Sequence, residues 1–369
     1  MPATLTEQDR LHLRRALELA EGGRGRVAPN PLVGAVVVRE GEAIGEGFHA
    51  RLGGFHAEVA ALESCRRRGE DPAGATMYVT LEPCAHHGRQ PPCTDAIVAA
   101  GLARVVVGAD DPTEKASGRG PGILRDEGIE VVQAEGAEAA AARLLDQAFR
   151  KHARTAKPLV VHKAAVSLDG RTATADGDSK WISGPESRAL VHRWRAEAGA
   201  IAVGIGTALA DDPLLTARDA GAHRQPLRVV FDSGARLPLG SQLVATVDEA
   251  PLLVLCAPGA PEERVEALRS AGADVHAAGT ISAALEELGR REATSLLLEG
   301  GATLAGAFLG AGEIDELRLF LCPVILGEDG APLFAAGGAK AIADAPRPLA
   351  ADWSASGEDM LLRARLREW

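Results

Sequence analysis

The sequence predicts an α/β protein of two domains. Three observations predict it. The chain has 369 residues, more than twice the ~150 of an ordinary domain. Hydrophobic residues make up 46% and charged residues 25%, enough apolar material for a core in each half. Strand-like and helix-like runs alternate on both sides of a break at Lys157-Pro158, and such alternation favours a parallel or mixed sheet covered by helices. The break divides the chain into residues 1–156 and 157–369.

The elements follow in order. Leu11, Leu13, Ala16, Leu17 and Ala20 recur at near-helical spacing and Gly22-Gly23 ends the run, so residues 7–21 read as a helix. LVGAVVVRE and EAIGEGFH flank Glu40-Gly41 like the strands of a hairpin. Then come a helix in AEVAALESCRRRG, a strand in TMYVTLE, a helix in CTDAIVAAG, a strand in RVVVGAD, a helical turn in GILRDEG and a strand in IEVVQ. Ala-rich residues 135–155 predict one long helix, with Arg150, Lys151 and Arg154 as its solvated basic end. In the second half PLVVHKAAVSLDG, AIAVGIG, LRVVFDS, PLLVLCA, ADVHA, SLLLEGG and ELRLFLCPVILG read as strands, with helices such as PESRALVHRWRAEAG and PEERVEALRSAG between them. In the last thirty residues only LLRARL reads as an element.

Forty basic against fifty-one acidic residues give a net charge of −11, which argues against general nucleic-acid binding, since that needs clustered positive charge. No uncharged apolar stretch approaches the ~20 residues of a membrane span, and the opening MPATLTEQDR lacks the pattern of a signal peptide. Five cysteines are too few and too scattered for a disulfide framework. The chain is expected in the cytoplasm, as a homo-oligomer acting on a small molecule.

The most specific chemistry lies in the first half: His56-Ala57-Glu58 at a helix start, Glu82-Pro83-Cys84 after a strand, and Cys93 at the next helix start. One imidazole and two thiolates hold a Zn2+ with its fourth position open to water. A carboxylate that is not a ligand, here Glu58, can carry the proton to a leaving amine. The zinc nucleobase deaminases use this arrangement, with the pattern H-x-E then P-C-x-x-C. Here AHHGRQPP separates Cys84 from Cys93, which departs from the plain spacing while leaving the ligand geometry feasible. A structural zinc is the alternative, with His86 or His87 as a fourth ligand. A tRNA-editing deaminase shares the motif, but the charge, the cysteine spacing and the second half count against it. A zinc-stabilised scaffold carrying a binding module would show a closed metal site and no NADPH binding. Asn30, between two prolines that fix its turn, has an amide that could meet a pyrimidine edge, although forming the turn is the commoner role for such a residue, and Cys65 reads as core.

EPCAHHGRQPPC, with PNPLVGAVVV, GFHARLGGFHAEVAAL and DPTEKASGRG in the same order, resembles the bifunctional deaminase/reductase family of riboflavin biosynthesis. The resemblance implies a cytidine-deaminase-like α/β/α domain with one Zn2+, and places His86, His87 and Arg89 near the substrate. The second half has no G-x-G-x-x-G. What stands out is Leu168-Asp169-Gly170-Arg171, the run from Gly177 to Ser183, Gly204-Ile205-Gly206-Thr207, and Glu299-Gly300-Gly301-Ala302-Thr303, a strand-Gly-Gly-helix turn that can offer backbone N–H groups to a phosphate.

These segments resemble the reductase half of the same family, which implies a dihydrofolate-reductase-like α/β domain using NADPH. Carried over, Ala165, Trp181, Thr207, Asp211 and the run Gly301, Ala302, Thr303, Leu304, Ala305, Gly306 and Ala307 become cofactor contacts. Ser179, Arg195, Leu215, Arg218 and Glu299 become substrate contacts, with Lys163 a further candidate. The implied activity is hydrolytic deamination of 2,5-diamino-6-ribosylamino-4-pyrimidinone 5′-phosphate, followed by reduction of the ribosyl to a ribityl chain. Asp211, Lys163 and Glu299 are candidates for the proton donor of the reduction.

Overall fold

The computed structural model describes residues 5–369 apart from residues 88, 89, 115, 219 and 337. It separates into two compact units, one running through Thr155 and taking in Trp369, the other from Ala156 to Glu368.

The first unit contains α1 (Glu7–Ala20), β1 (Gly34–Arg39), β2 (Glu42–Phe48), α2 (Ala57–Arg68), β3 (Thr76–Leu81), α3 (Cys93–Ala99), β4 (Arg104–Ala109), α4 (Arg119–Asp126), β5 (Glu130–Gln133), α5 (Gly136–Leu145) and α6 (Gln147–Thr155). Its sheet runs β2-β1-β3-β4-β5, antiparallel through β2, β1 and β3 and parallel from β3 to β5. Both faces are covered. Val37, Met77, Val79, Val105 and Val107 belong to one apolar cluster with Ala57, Ala61 and Cys65 of α2, while Val36, Tyr78, Val106 and Val132 pack with Leu13 and Ala16 of α1.

Two glycines set how close α2 lies to the sheet. A Cβ at Gly45 or Gly47 of β2 would run into the backbone of α2 around Ala60 and Ala61. That close approach fixes where the first turn of α2, with its buried Glu58, sits above the sheet.

The single long helix expected over 135–155 is broken. Asp146 leaves helical geometry, and its buried carboxylate accepts the Leu32 N–H at 2.7 Å. The basic end is not solvated as expected: Arg150 and Lys151 are each 1% exposed and only Arg154 is exposed. Arg150 donates to the Asp110 carbonyl at 2.7 Å, to Asp110 Oδ2 at 3.1 Å and to the Trp369 carbonyl at 2.8 Å, and Lys151 Nζ lies 5.3 Å from the centre of the Trp369 ring. Gln147 exchanges two hydrogen bonds with the Trp369 backbone, which explains why this residue groups with the first unit.

The second unit contains β6 (Leu159–Val166), β7 (Arg171–Ala173), α7 (Pro185–Glu197), β8 (Ala200–Gly204), α8 (Ile205–Asp211), β9 (Leu227–Phe231), α9 (Gln242–Ala245), β10 (Leu252–Cys256), α10 (Glu262–Ser270), β11 (Asp274–Ala277), α11 (Ile281–Arg290), β12 (Ser295–Leu298), α12 (Ala302–Gly310), β13 (Glu316–Leu321), β14 (Ala331–Pro332), β15 (Ala350–Ser356) and β16 (Asp359–Arg365). Its sheet runs β11-β10-β9-β8-β12-β6-β13-β16-β15, parallel from β11 to β13 and antiparallel through β16 and β15. The parallel strands are nearly continuous Val, Leu, Ile and Ala because helices cover both their faces. The last residues, which the sequence leaves unorganised, form the β15–β16 hairpin, turning at Gly357 (φ 63°).

Candidate functional site

Strand β3 ends at Leu81 and delivers Cys84; α3 opens on Cys93; α2 opens immediately after His56, its N-cap. The ligand atoms of these three residues lie within 4.8 Å of one another. His56 Nδ1 is 3.3 Å from Cys93 Sγ and 3.5 Å from Cys84 Sγ. Zn–N near 2.1 Å and Zn–S near 2.3 Å in a tetrahedron put neighbouring donors about 3.5 Å apart, so the donor set fits a zinc ion without rearrangement.

Helix starts also favour negative sulfur, and the Cys93 N–H points to Cys84 Sγ at 3.4 Å. The Cys84 thiol is held down at about 4 by hydrogen bonds from Cys93 and His56 against the opposing effect of burial. The Cys93 thiol is pushed up by its bond to Cys84 and by burial. Binding a divalent cation here would release that remaining proton.

Glu58 is 4% exposed, and burial pushes its carboxyl up to about 7. A carboxyl at that value exchanges its proton near neutral pH, as a proton shuttle must.

His49, at the end of β2, was missed in the sequence. Its ring packs edge-on against His56 with centroids 5.5 Å apart. Its Nδ1 lies 2.9 Å from the Phe55 carbonyl and must carry the proton; burial lowers its basicity, so Nε2 is a lone pair that accepts from Asn30 Nδ2 at 3.1 Å. A polar aromatic at a strand end beside the His-x-Glu loop was the available signal. Asn30 therefore does more than form its turn. His86 is exposed, and the described metal-ligating group contains neither His86 nor His87. Arg89 lies outside the described residues.

In the second unit a cleft of about 770 Å³ opens beside β6 and β12. It brings together Lys163, Ala165, Ser179, Trp181, Arg195, Thr207, Asp211, Leu215, Arg218, Glu299, Gly301 and Ala302, which the resemblance had named from widely separated segments. At its floor Arg195 donates from Nε to Glu299 Oε1 at 2.7 Å and from Nη2 to Oε2 at 2.8 Å. Burial lowers the Lys163 ammonium value, assisted by the Arg195 charge and opposed by Glu299. The Gly301 N–H donates to Thr207 Oγ1 at 3.3 Å, joining two expected cofactor contacts. Lys180 pairs with Asp211 at 3.5 Å, and the Arg188 guanidinium lies 4.8 Å from the Trp181 ring centre.

Thr303, Leu304, Ala305, Gly306 and Ala307 are not part of the cleft lining. Only the start of α12 reaches the cleft; further along the helix Ala305 and Gly306 are buried, Gly306 close against the backbone of Ala335 and Ala336, and Leu304 packs against the core. Arg188, His192 and Gln242 line the cleft and were not singled out from the sequence, and Lys180, within the run from Gly177 to Ser183, lines it too.

Two family models match the chain. The cytidine and deoxycytidylate deaminase zinc-binding region covers residues 6–109 and the RibD C-terminal domain covers residues 158–362. The riboflavin biosynthesis protein RibD of Actinobacillus pleuropneumoniae is 41% identical over 330 residues, 88% of this chain and 85% of the relative. That of Escherichia coli K12 is 41% identical over 353 residues, 92% of this chain and 94% of the relative. Acinetobacter baumannii RibD superposes with a TM-score of 0.87 at 38% identity, covering 98% and 99% of the two chains. A deaminase/reductase structure from Thermotoga maritima gives 0.86 at 36% identity with the same coverage.

Proposed function

The chain belongs to the RibD family of bifunctional riboflavin-biosynthesis enzymes, with a deaminase and a reductase in one polypeptide, and from that premise we propose how its residues divide the work. Residues 1–156 form the deaminase domain and 157–369 the reductase domain. The cofactors are Zn2+ and NADPH.

His56, Cys84 and Cys93 hold the zinc, which when bound makes water nucleophilic at neutral pH. Asn30 presents its amide to the pyrimidine edge and is held there by His49. Glu58 passes a proton to the departing 2-amino group, which needs a carboxyl titrating near neutrality. His86 and Arg89, on the loop between the two cysteines, meet the rest of the ribotide. The substrate is 2,5-diamino-6-ribosylamino-4-pyrimidinone 5′-phosphate.

In the reductase cleft NADPH supplies the hydride, and the chain supplies orientation and charge. Ala165, Trp181, Thr207, Asp211 and the Gly301-Ala302 turn contact the cofactor, with Thr303 to Ala307 supporting that turn from behind. Ser179, Leu215 and Arg218 contact the substrate. Arg218 is exposed at the rim and free to meet the 5′-phosphate, whereas Arg195 is already bonded to Glu299 and orients that carboxylate. Glu299, held at about 2, carries no proton at neutral pH. Of the three donor candidates the half-buried Lys163 is best suited, because its lowered value brings proton release closer to neutrality.

The observation that carries this reading is the convergence of one imidazole and two thiols within 4.8 Å beside a buried carboxyl. NADPH absorbance tests both halves. Adding the diaminopyrimidinone ribotide to zinc-loaded protein should oxidise NADPH with the wild type and not with Glu58→Gln. Absence of oxidation by the wild type would reject the assignment.

No helix among the described residues is long and apolar enough to cross a membrane, and all five cysteines are free; a cytoplasmic location agrees with both. A homo-oligomer is favoured by one face of the β13-β16-β15 corner. Leu319, Leu362 and Trp353 stand in register there, as do Leu321, Met360 and Ala355, and paired residues share a face. Trp353 is 58% exposed. Light scattering on the purified protein should give a multiple of the 38.2 kDa chain mass.

A further inference from the structure

One wall of the reductase cleft contains Asp212, Pro213, Leu214 and Leu215. Two of these, Asp212 (φ 39°) and Leu215 (φ 52°), lie in the left-handed region, which such residues adopt only where their surroundings over-determine it. The surroundings hold the wall at several points, one of them Gln242, which itself lines the cleft. Gln242 donates its N–H to Asp212 Oδ1 at 2.8 Å and its side-chain amide to the Asp212 carbonyl. Gln225 accepts the Ala217 N–H at 2.8 Å. Between these clamps Arg228 Nη1 donates to the Leu214 carbonyl at 3.2 Å.

Arg228 is the second residue of β9 and is fully buried, at 0% exposure. Besides Leu214, its guanidinium donates to Thr246 Oγ1 at 2.7 Å, to the Thr246 carbonyl at 2.9 Å and to the Ala250 carbonyl. Thr246 immediately follows α9, the helix that opens on Gln242. One guanidinium thus ties the cleft wall at Leu214 to the segment that grips the same wall at Asp212. Among the described residues none of its hydrogen bonds goes to a carboxylate. A buried charge bonded only to carbonyls and a hydroxyl, with its Nε left without a partner among the described residues, is a costly way to fill a strand core, since a well-packed apolar side chain would do so without desolvating a cation. What the guanidinium provides and an apolar side chain cannot is a directional fork reaching two separate backbone segments.

We propose that Arg228 is a positioning residue for the reduction: it sets the backbone of residues 212–218, and through it the placement of Leu215 and Arg218 against the phosphorylated pyrimidine substrate. The proposal rests on the reading of the cleft as the reductase substrate site. Arg228 is not part of the cleft lining, so its effect on substrate must pass through this wall.

The test is steady-state reduction of the deaminated ribotide by the full-length zinc-loaded protein carrying Arg228→Met, Arg228→Lys or Arg218→Ala. NADPH dissociation constants, deamination rates and amide hydrogen exchange are measured on the same samples. Arg228→Met should raise KM for the ribotide tenfold or more while kcat stays within threefold, NADPH affinity and deamination hold, and the amides of 212–218 exchange faster. Arg228→Lys keeps the charge but cannot reach both segments, and should fall between. An unchanged KM, or loss of kcat and NADPH affinity together with KM, would overturn the positioning role. If Arg228→Met does not fold, Arg228→Lys is judged by the same criteria. If Arg218→Ala leaves KM unchanged, the substrate reading fails, and the Arg228 role is then decided by the exchange of 212–218 alone, failing if those amides stay protected.

Discussion

Replacing Glu299 by alanine removes one partner of the buried pair on the cleft floor. Side-chain exposures are 14% for Arg195 and 9% for Glu299, and the closer contact is 2.7 Å. Burial alone would push the Glu299 carboxyl up, but the Arg195 charge and hydrogen bonds, with Lys163 and His192, outweigh it and bring it from an ordinary 4.5 to about 2. At about 1.4 kcal/mol per tenfold change in proton affinity that fall is worth on the order of 3 kcal/mol. Cutting one partner out of a buried pair independently suggests about 3–5 kcal/mol, because Arg195 and Lys163 would be left as uncompensated neighbouring cations. For a unit of this size each kcal/mol moves the melting temperature by roughly 2–4 °C, so Glu299→Ala should lower the reductase transition by about 6–12 °C in scanning calorimetry at pH 7. The deaminase transition serves as the internal reference. Since the folded value is depressed, the carboxylate contributes fully above its ordinary value, and its contribution is lost as pH falls from about 4.5 toward about 2. The gap between wild type and variant should therefore stay constant from pH 7 to about 5 and close below that. A shift under 2 °C at pH 7, or a gap independent of pH down to about 3, would refute the reasoning. The double variant Arg195→Met/Glu299→Leu should recover most of the stability and still fail to reduce substrate.

Glu58→Gln should retain one zinc per chain by metal analysis while deamination falls by about 10²–10⁴; unchanged turnover would remove Glu58 from the mechanism. Gly120→Ala should cost zinc affinity, measured by competition with a chelator, because a Cβ at this position collides with the Pro83 carbonyl next to Cys84; wild-type affinity would show that the Pro83-Cys84 segment can yield. Stripping zinc should abolish deamination and leave NADPH-dependent reduction of the deaminated ribotide intact, checked by assaying the two steps separately; loss of both would contradict independent sites.

The candidate zinc residues were legible because the chemistry narrows the choice: an imidazole and two thiols beside strand ends and helix starts, with a carboxyl two residues on, make a recognisable pattern. His49 was not, since a single histidine after a strand carries no pattern until the fold brings it against His56. The reductase contacts became visible only through resemblance, because Lys163, Glu299 and Arg195 are far apart in the chain and each is ordinary by itself. Within that resemblance periodicity could not separate Ala302, at the cleft, from Ala305 and Gly306, which share its helix face; distance along α12 does so. The break at Asp146 was invisible because its cause is the distant Leu32 N–H, and the burial of Arg150 depends on Asp110 and Trp369. The β15 strand is exposed along most of its length and carries no buried apolar alternation, so pairing with β16 defines it.

Each site keeps a buried carboxyl, and the two are tuned in opposite directions. Glu58 has hydrogen-bonding neighbours but, among the described residues, no paired arginine or lysine, so burial dominates and the group sits at about 7. Glu299 is more than nine-tenths covered as well, yet a bidentate arginine reverses the outcome and leaves it at about 2. The difference matches the work required. Hydrolytic deamination moves a proton onto a leaving amine, and a carboxyl near neutrality can give one up and take it back at little cost. In the proposed reduction Glu299 orients the pyrimidine and the proton comes from a separate group, because a carboxylate stripped of its proton by Arg195 cannot supply one. In the proposed division of work the same residue type is shuttle in one domain and anchor in the other, and the bidentate Arg195 beside Glu299 sets the two apart.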